Sequence, residues 1–415
     1  MTEVNNTLSP HGGRLVDRVL GPAEGKKKAK QAKIQLAIEG SRATEIMSIA
    51  YGFFSPLEGF MGHSDVDSVC KDMRLASGYI WSIPIVFDIS QSEIGEKGIR
   101  EGDTLLLIYQ DQPFATLELE EIFSSDRRLM AEKVYGTAED KHPGVKRTYC
   151  YKDKFLGGKV TLINPPQINP PFDKYWYPPR MLRQKIAELG WKRVVAHQTR
   201  NVPHTGHEWL MKGAWFAANA DAILVSCVVG EKRVGDYIDE AIVLTHDVLG
   251  KAGYFKGGTH LTSILLWDMR YAGPREAVFH AIVRKNLGCT HHMFGRDHAG
   301  VGTYYSPYAA HEIFQHVPDL GIYPVLTLEW WYCPVCGEVT YSGLCGHDKE
   351  AQAFSGTLIR SIIQDGVKPP RLIFRPEVFD IVMESGDKYG FGSPFVTEEY
   401  LARRNSVITV PPMEV

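Results

Sequence analysis

Two hydrophobic rhythms divide the chain. Up to about residue 175, apolar runs of strand length at 83–88, 104–109, 116–121 and 159–163 are separated by Gly, Asp and Pro, the punctuation of a β-rich unit. A proline-rich stretch at 164–171 then reads as a stiff connector. From 176 to 328 the pattern changes. Buried-type runs at 193–197, 222–229, 260–267, 291–295 and 321–328 alternate with helical spacing, which predicts a parallel, doubly wound α/β sheet. One predicted helix spans 208–220 with Leu210, Met211, Ala214, Trp215 and Ala218 on its apolar face. A second, at 236–246, buries Tyr237, Ile238 and Ala241; a third opens at Gly273-Pro274 and ends near Gly288. Residues 329–415 hold a cysteine-bearing ribbon and a small helical region, so the expected units are 1–175, 176–328 and 329–415, with no internal repeat.

The densest chemistry follows the first strand of the middle unit. The apolar Val194-Val195-Ala196 leads into His197, Gln198, Thr199, Arg200, Asn201, Val202, Pro203, His204, Thr205, Gly206 and His207. A strand-to-helix junction presents helix N–H groups to anions. His204 and His207 could form half a metal site, but no carboxylate lies between them as in the zinc-protease pattern. Two uncharged imidazoles at a helix start can instead donate to phosphate oxygens. The plain alternative is a pair of satisfied surface histidines. Gln198, Arg200, Asn201 and Gly206 in the same few positions favour polyphosphate or oxyanion chemistry.

Two further segments point the same way. Gly295, Arg296, Asp297, His298, Ala299 and Gly300 form a glycine-rich turn after a second strand, where backbone amides can meet a phosphate and Arg296 can brace its charge. Asp297 reads as a local orienting residue. Ser355 to Arg360 reads as a helix start whose cap and arginine could hold a phosphate, or as an ordinary N-cap with a solvated arginine.

Charge and composition exclude several classes. With 46 basic and 49 acidic residues, net −3, no global field favours nucleic acid or a membrane surface. The one basic run, at 26–33, reads as a solvated helix face. The stretch 1–10 is polar and no run is long enough to span a membrane, so a cytoplasmic protein is expected. Of seven cysteines, Cys70, Cys150, Cys227 and Cys289 read as buried thiols. Cys333, Cys336, Cys345 and His347 offer three thiolates and an imidazole, a complete tetrahedral shell for a structural Zn²⁺. A redox Cys-x-x-Cys is the lesser reading, because a third cysteine and a histidine lie close by.

Taken together, these motifs resemble the ATP sulfurylases (sulfate adenylyltransferases) of the HxGH nucleotidyltransferase superfamily. The family pattern Gln-x-Arg-Asn-Pro-x-His-x-x-His is similar to Gln198–His207; its Arg-x-Ala-Gly-Pro-Arg-Glu-Ala segment resembles 270–277, and its Gly-Arg-Asp-His-Ala-Gly motif resembles 295–300. The likeness extends to 10–13, 54–61 and 355–360, and thus to nearly the whole chain. It departs at Val202, where the family has proline directly after asparagine; here Pro203 follows one place later, which re-aims the turn.

The resemblance implies a PUA-like β-rich N-terminal domain, a Rossmann-like catalytic domain and a zinc-ribbon/helical C-terminal region. It implies attack of sulfate on the α-phosphorus of MgATP, giving adenosine 5′-phosphosulfate and diphosphate. Gln198 and Arg200 would then contact sulfate, with the Ala299 N–H. Asn201 would contact the α-phosphate, while His204 and His207 would stabilise the bridging oxygen and emerging diphosphate. Arg296 would reach phosphate from the other wall, and Thr199, Gly295, Asp297 and His298 would complete the substrate site. The absence of a Walker A sequence leads us to expect no adenylyl-sulfate kinase extension. A homodimer is the default assembly. The alternative within the superfamily is transfer to a different acceptor; an RNA-binding protein built on the β-rich front and ribbon would require a basic, aromatic stripe, and none is visible. The sulfur-metabolising prokaryotic members also carry the cysteine cluster, which favours the ATP-forming or otherwise dissimilatory direction.

Overall fold

The computed structural model describes residues 8–414; positions 1–7 of the polar stretch lie outside them. The N-terminal sheet comprises β1 (Ile34–Ala37), β2 (Gly59–Phe60), β3 (Phe87–Ile89), β4 (Thr104–Tyr109), β5 (Gln112–Phe123) and β6 (Lys154–Leu162). Their order is β1-β4-β5-β6-β2, with β3 also on β6. Gln110 and Asp111, at φ 51° and 57°, make the tight turn between β4 and β5; positive φ at both central residues matches the twist of a hairpin.

The run at 104–109 is a strand as read, and those at 116–121 and 159–163 fall within β5 and at the end of β6. The run at 83–88 needs correcting. Ile83, Ile85 and Val86 are buried, but strand pairing begins only at Phe87. A continuous apolar run marks burial, and does not by itself mark a ladder. This unit also contains six helices among the described residues, from Pro22–Ala29 to Pro143–Tyr149. Each is too short to show clear periodicity and depends on caps and tertiary packing. Ser90 Oγ, for example, accepts the Glu93 N–H at 3.1 Å, and Asp126 accepts that of Arg128 at 2.9 Å. The lysine run lies on and just beyond the first helix, with Lys28 paired to Glu118.

Within the proline-rich connector lies the two-residue strand β7 (Gln167–Ile168). The second sheet then follows: β8 (Val194–Thr199), β9 (Ala222–Val229), β10 (His260–Leu266), β11 (His291–Phe294) and β12 (Tyr323–Leu326). All its pairs are parallel, in the order β10-β9-β8-β11-β12. Every residue of β9 is buried, as expected for a central strand covered by helices on both faces. The order reverses between β8 and β11, the place where open α/β sheets hold ligands beyond their carboxyl ends. The helix expected at 208–220 runs Thr205–Ala218 and ends with Asn219 in the left-handed region at φ 45°. The helices expected at 236–246 and from 274 run Asp239–Lys251 and Pro274–Leu287.

The ribbon follows as β13 (Trp330–Cys333), β14 (Glu338–Tyr341) and β15 (Gln352–Ala353). Helices Gly356–Gln364, Pro376–Tyr389 and Glu398–Arg403 lead to β16 (Ile408–Thr409), which pairs antiparallel with β7. The two sheets are fastened through the helix Pro274–Leu287. Asn286 donates to the carbonyls of Phe53 and Ser55, and Arg275 to those of Val69 and Cys70. Phe54, read as packing, meets Trp267 and Phe279 edge-on with centroids 5.6 and 5.1 Å apart. The fully buried Arg270–Glu45 pair crosses the same seam. No helix among the described residues is long and apolar enough to cross a membrane.

Candidate active site

β8 carries Gln198 and Thr199 to its carboxyl end, so these two residues belong to the strand and the polar turn begins at Arg200. Thr199 Oγ1 accepts the Asn201 N–H at 3.1 Å and tightens the bend. Val202, the departure from the family pattern, is buried at 3% exposure. The displaced proline therefore leaves an apolar anchor inside the turn. His204 caps the helix Thr205–Ala218, whose start is tied to the C-terminal region. The Thr205 N–H and hydroxyl donate to the carbonyls of Ile373 and Leu372 at 3.0 and 2.7 Å. One residue beyond His207, the fully buried Glu208 accepts from Arg375 at 2.7 and 3.0 Å.

The His204 and His207 rings lie side by side, centroids 3.9 Å apart. The backbone N–H of His204 points to Nδ1 of His207 at 3.4 Å, so a neutral His207 carries its proton on Nε2 and can donate it outward. Both residues are half-buried, with His204 Nδ1 buried and unpartnered, and loss of hydration holds His204 well below the usual imidazole range and brings His207 to about 4. They are neutral donors near pH 7. Phe354 stacks on His204 at 4.9 Å with 18° between planes.

Gln198 points to a buried polar network. Its Nε2 lies 2.9 and 3.0 Å from the ring nitrogens of His280, and His280 Nδ1 lies 3.0 Å from Nε2 of His298. Arg200 bonds to the Tyr271 hydroxyl, lies 5.2 Å over that ring and faces Asp236 at 3.5 Å. Across β11, the expected glycine-rich turn contains two strained residues, Asp297 at φ 53° and Ala299 at φ 55°. Non-glycine residues in this region cost about 1–3 kcal/mol each and collect at functional sites. The Ala299 carbonyl accepts from Gly273, the cap of the helix Pro274–Leu287. Among the described residues no protein acceptor takes the Ala299 N–H. Gly295 lies at the entrance to this turn, beside Leu210 and Thr327.

The structure thus gathers Gln198 with His298, His204 with His207, and Arg296 with Asp297. Arg296 is different in character, because it is 46% exposed and paired with Glu329 at 3.0 Å and Asp297 at 3.2 Å. A recess of about 200 Å³ is lined by Asp297, His298, Gly300, Gly273 and Tyr305. A larger cleft of about 1020 Å³ opens between the sheets and reaches Met269 and Tyr271. The sequence alone assigns no site role to Glu276, His280, Tyr271, Asp236 or Phe354, although Tyr271 and Glu276 lie within the 270–277 motif. Glu276 and His280 are an i,i+4 polar pair on the first half of the helix Pro274–Leu287, among Ala277, Val278, Phe279, Ala281 and Ile282, the one signal that could have revealed them. Ser355 does cap its helix, accepting the Leu358 N–H at 3.2 Å.

The ribbon brings one ligand atom from each of Cys333, Cys336, Cys345 and His347 within 4.8 Å of one another. His347 Nδ1 lies 3.6 Å from Cys333 Sγ and 3.4 Å from Cys336 Sγ. A tetrahedral metal with bonds of zinc length requires about 3.6 Å for such an edge. The Cys336 N–H also points to Cys333 Sγ at 3.3 Å, as expected beside a thiolate. These residues could hold a metal ion, with Nδ1 as the fourth ligand. Trp331 is buried in the ribbon and Trp330 stacks on Trp209, so this aromatic pair serves packing. Of the scattered cysteines, Cys70, Cys227 and Cys289 are buried as read, but Cys150 is exposed. It follows the short helix Pro143–Tyr149, where the chain turns at the surface.

A model of the ATP-sulfurylase family matches residues 173–385, and one of a PUA-like domain matches 8–165. The sulfate adenylyltransferase of Archaeoglobus fulgidus is 40% identical over 450 aligned positions, covering 99% of this chain and 98% of the relative. That of Hyperthermus butylicus is 44% identical over 379 residues, covering 90% and 95%. Among solved structures, a hexameric APS kinase from Thiobacillus denitrificans superposes with TM-score 0.71 at 20% identity, over 91% of this chain and 68% of that one, a likeness of fold. With the family motifs following the carboxyl ends of β8, β10 and β11 and relatives matched from end to end, the chain belongs to the ATP-sulfurylase family.

Proposed function

We propose that the chain transfers the adenylyl group of MgATP to sulfate, releasing diphosphate. The observation that supports this reading is the succession of an amide, a guanidinium and two neutral imidazoles from the carboxyl end of β8 into the following helix, next in the sheet to β11 and its strained turn. A sulfate oxygen forms the new bond to the α-phosphorus while the bond to the bridging oxygen breaks. Sulfate is already ionised at neutral pH, so no general base is required, and the chain acts by positioning and charge stabilisation. Gln198, Arg200 and the Ala299 N–H hold sulfate at the turn shaped by Thr199. Asn201 contacts the α-phosphate. His204 and His207 donate to the bridging oxygen as diphosphate departs, and Gly295, Arg296, Asp297 and His298 form the opposite wall.

Mg²⁺ would arrive with ATP and neutralise its phosphate charge. Cys333, Cys336, Cys345 and His347 would hold a structural Zn²⁺, their four positions leaving none open for substrate. Unit boundaries at 175 and 328, a cytoplasmic location and a homodimer belong to the same proposal, as does operation in the ATP-forming direction. The test is diphosphate release from MgATP with and without sulfate. Release that requires sulfate supports the reading; turnover indifferent to sulfate favours a different acceptor.

A further inference from the structure

We propose that His280 is a positioning residue that fixes the orientation of the Gln198 amide toward the acceptor oxyanion. This rests on the reading of Gln198 as a sulfate contact. In the structure's orientation the Gln198 nitrogen faces His280, while Oε1 is buried without a hydrogen-bond partner. That arrangement leaves a buried acceptor unsatisfied and turns the amide N–H groups to His280 and, at 3.7 Å, to Met269 Sδ. A half-turn of the amide fills the same space. Oε1 then accepts the Nε2–H of His280 over the 3.0 Å separation, with Nδ1 2.9 Å away, and the two amide N–H groups, no longer turned to His280, take the buried position that now lacks a protein partner. His280 Nδ1 accepts in turn from Nε2 of His298, 3.0 Å away. The order His298 to His280 to Gln198 gives a donor and an acceptor to the His298–His280 contact and to the contact between His280 Nε2 and the amide.

The surroundings select this order. His280 is fully buried on the helix Pro274–Leu287, and burial holds both it and His298 below the usual imidazole range. Each ring therefore carries a single proton. The groups facing His280 are Gln198, His298, Glu276 and, more distantly, Arg284. Glu276 Oε1 lies 3.5 Å from Nε2, which favours a proton on the nitrogen that also faces Gln198. The same carboxylate is anchored by N–H groups of Trp267, Arg270 and Ala272, each at 3.0 Å, so the ring has a fixed backing.

The test compares His280→Gln, which retains an N–H near the Nε2 position, with His280→Asn, whose amide reaches only the Nδ1 position. A Gln198→Leu variant and the double variant complete the cycle. KM for sulfate, KM for ATP and kcat are measured on the full chain, with folding checked by circular dichroism. We expect His280→Asn to raise KM for sulfate about tenfold, the loss of one hydrogen bond to a charged group, with KM for ATP unchanged. His280→Gln should stay within about threefold, and His280→Asn should add nothing once Gln198 is leucine. Equal effects of the Asn and Gln variants, or full additivity with Gln198→Leu, would overturn the positioning role. An unchanged sulfate KM in Gln198→Leu itself would remove the underlying sulfate contact, a distinguishable failure.

Discussion

Replacing Arg375 by methionine should destabilise the protein more than replacing Glu208 by glutamine, although each change breaks the same ion pair. Glu208 is completely buried, and its carboxylate accepts from Arg375 at 2.7 and 3.0 Å and from Lys212 at 2.5 Å. The Arg375 side chain is 18% exposed. Arg375→Met keeps most of the volume but leaves a buried charge with Lys212 as its remaining ionic partner. Breaking a buried pair costs about 3–5 kcal/mol, and the surviving lysine places the expectation near the lower bound, about 3 kcal/mol. Glu208→Gln leaves the guanidinium a path to water and the glutamine oxygen as acceptor, so about 1–2 kcal/mol is expected. The double variant should be more stable than Arg375→Met alone, because the stranded charge is gone. Urea denaturation followed by circular dichroism measures all three. Arg375→Met proving no worse than Glu208→Gln, or no recovery in the double variant, would refute the reasoning.

Gly206→Ala should displace the His204 ring. An added Cβ meets Phe354 at 2.6 Å and the His204 ring at 2.8 Å, an overpacking cost of about 1–3 kcal/mol that outweighs the helix gain of about 0.5–1 kcal/mol for alanine; kcat should fall at least about tenfold and the melting temperature should fall with it, both read on one preparation. His11 is 3% exposed, and burial lowers it to about 4 although its Nε2 bonds to the Ile80 carbonyl. Its unfolded form titrates near 6.5, so stability is full above that pH and is lost as pH falls toward 4. By linkage the loss is about 2 kcal/mol at pH 5, and His11→Gln should show that much less destabilisation between pH 7 and 5 in urea titrations. Purified protein should carry about one equivalent of zinc that Cys345→Ser releases; elemental analysis finding no stoichiometric metal in the wild type would remove the ribbon assignment.

The middle sheet was legible from β8 to β11 because apolar runs there are separated by helices of thirteen or fourteen residues; between β11 and β12, four residues each, lie only helical pieces of three or four residues. The N-terminal helices were not, since pieces such as Gln91–Lys97 owe their existence to Ser90 and to packing from distant segments. The site was legible where its residues are consecutive, at Gln198–His207 and 295–300. Glu276 and His280 were hidden because their helix buries nearly every side, so polar core positions leave no amphipathic trace. Phe354 became visible only when β15 delivered it beside His204, a contact that a separation of 150 positions conceals.

The most direct test is ATP formation from adenosine 5′-phosphosulfate and diphosphate with Mg²⁺, followed by luminescence in wild type and His204→Ala. We predict robust wild-type turnover and a fall in kcat of about 10²–10³-fold in the variant, with KM values nearly unchanged, as for a donor that acts on charge in the transition state. Wild-type protein that folds, binds its metal and forms no ATP would contradict the proposed reaction; a His204→Ala variant with undiminished kcat would contradict the proposed site.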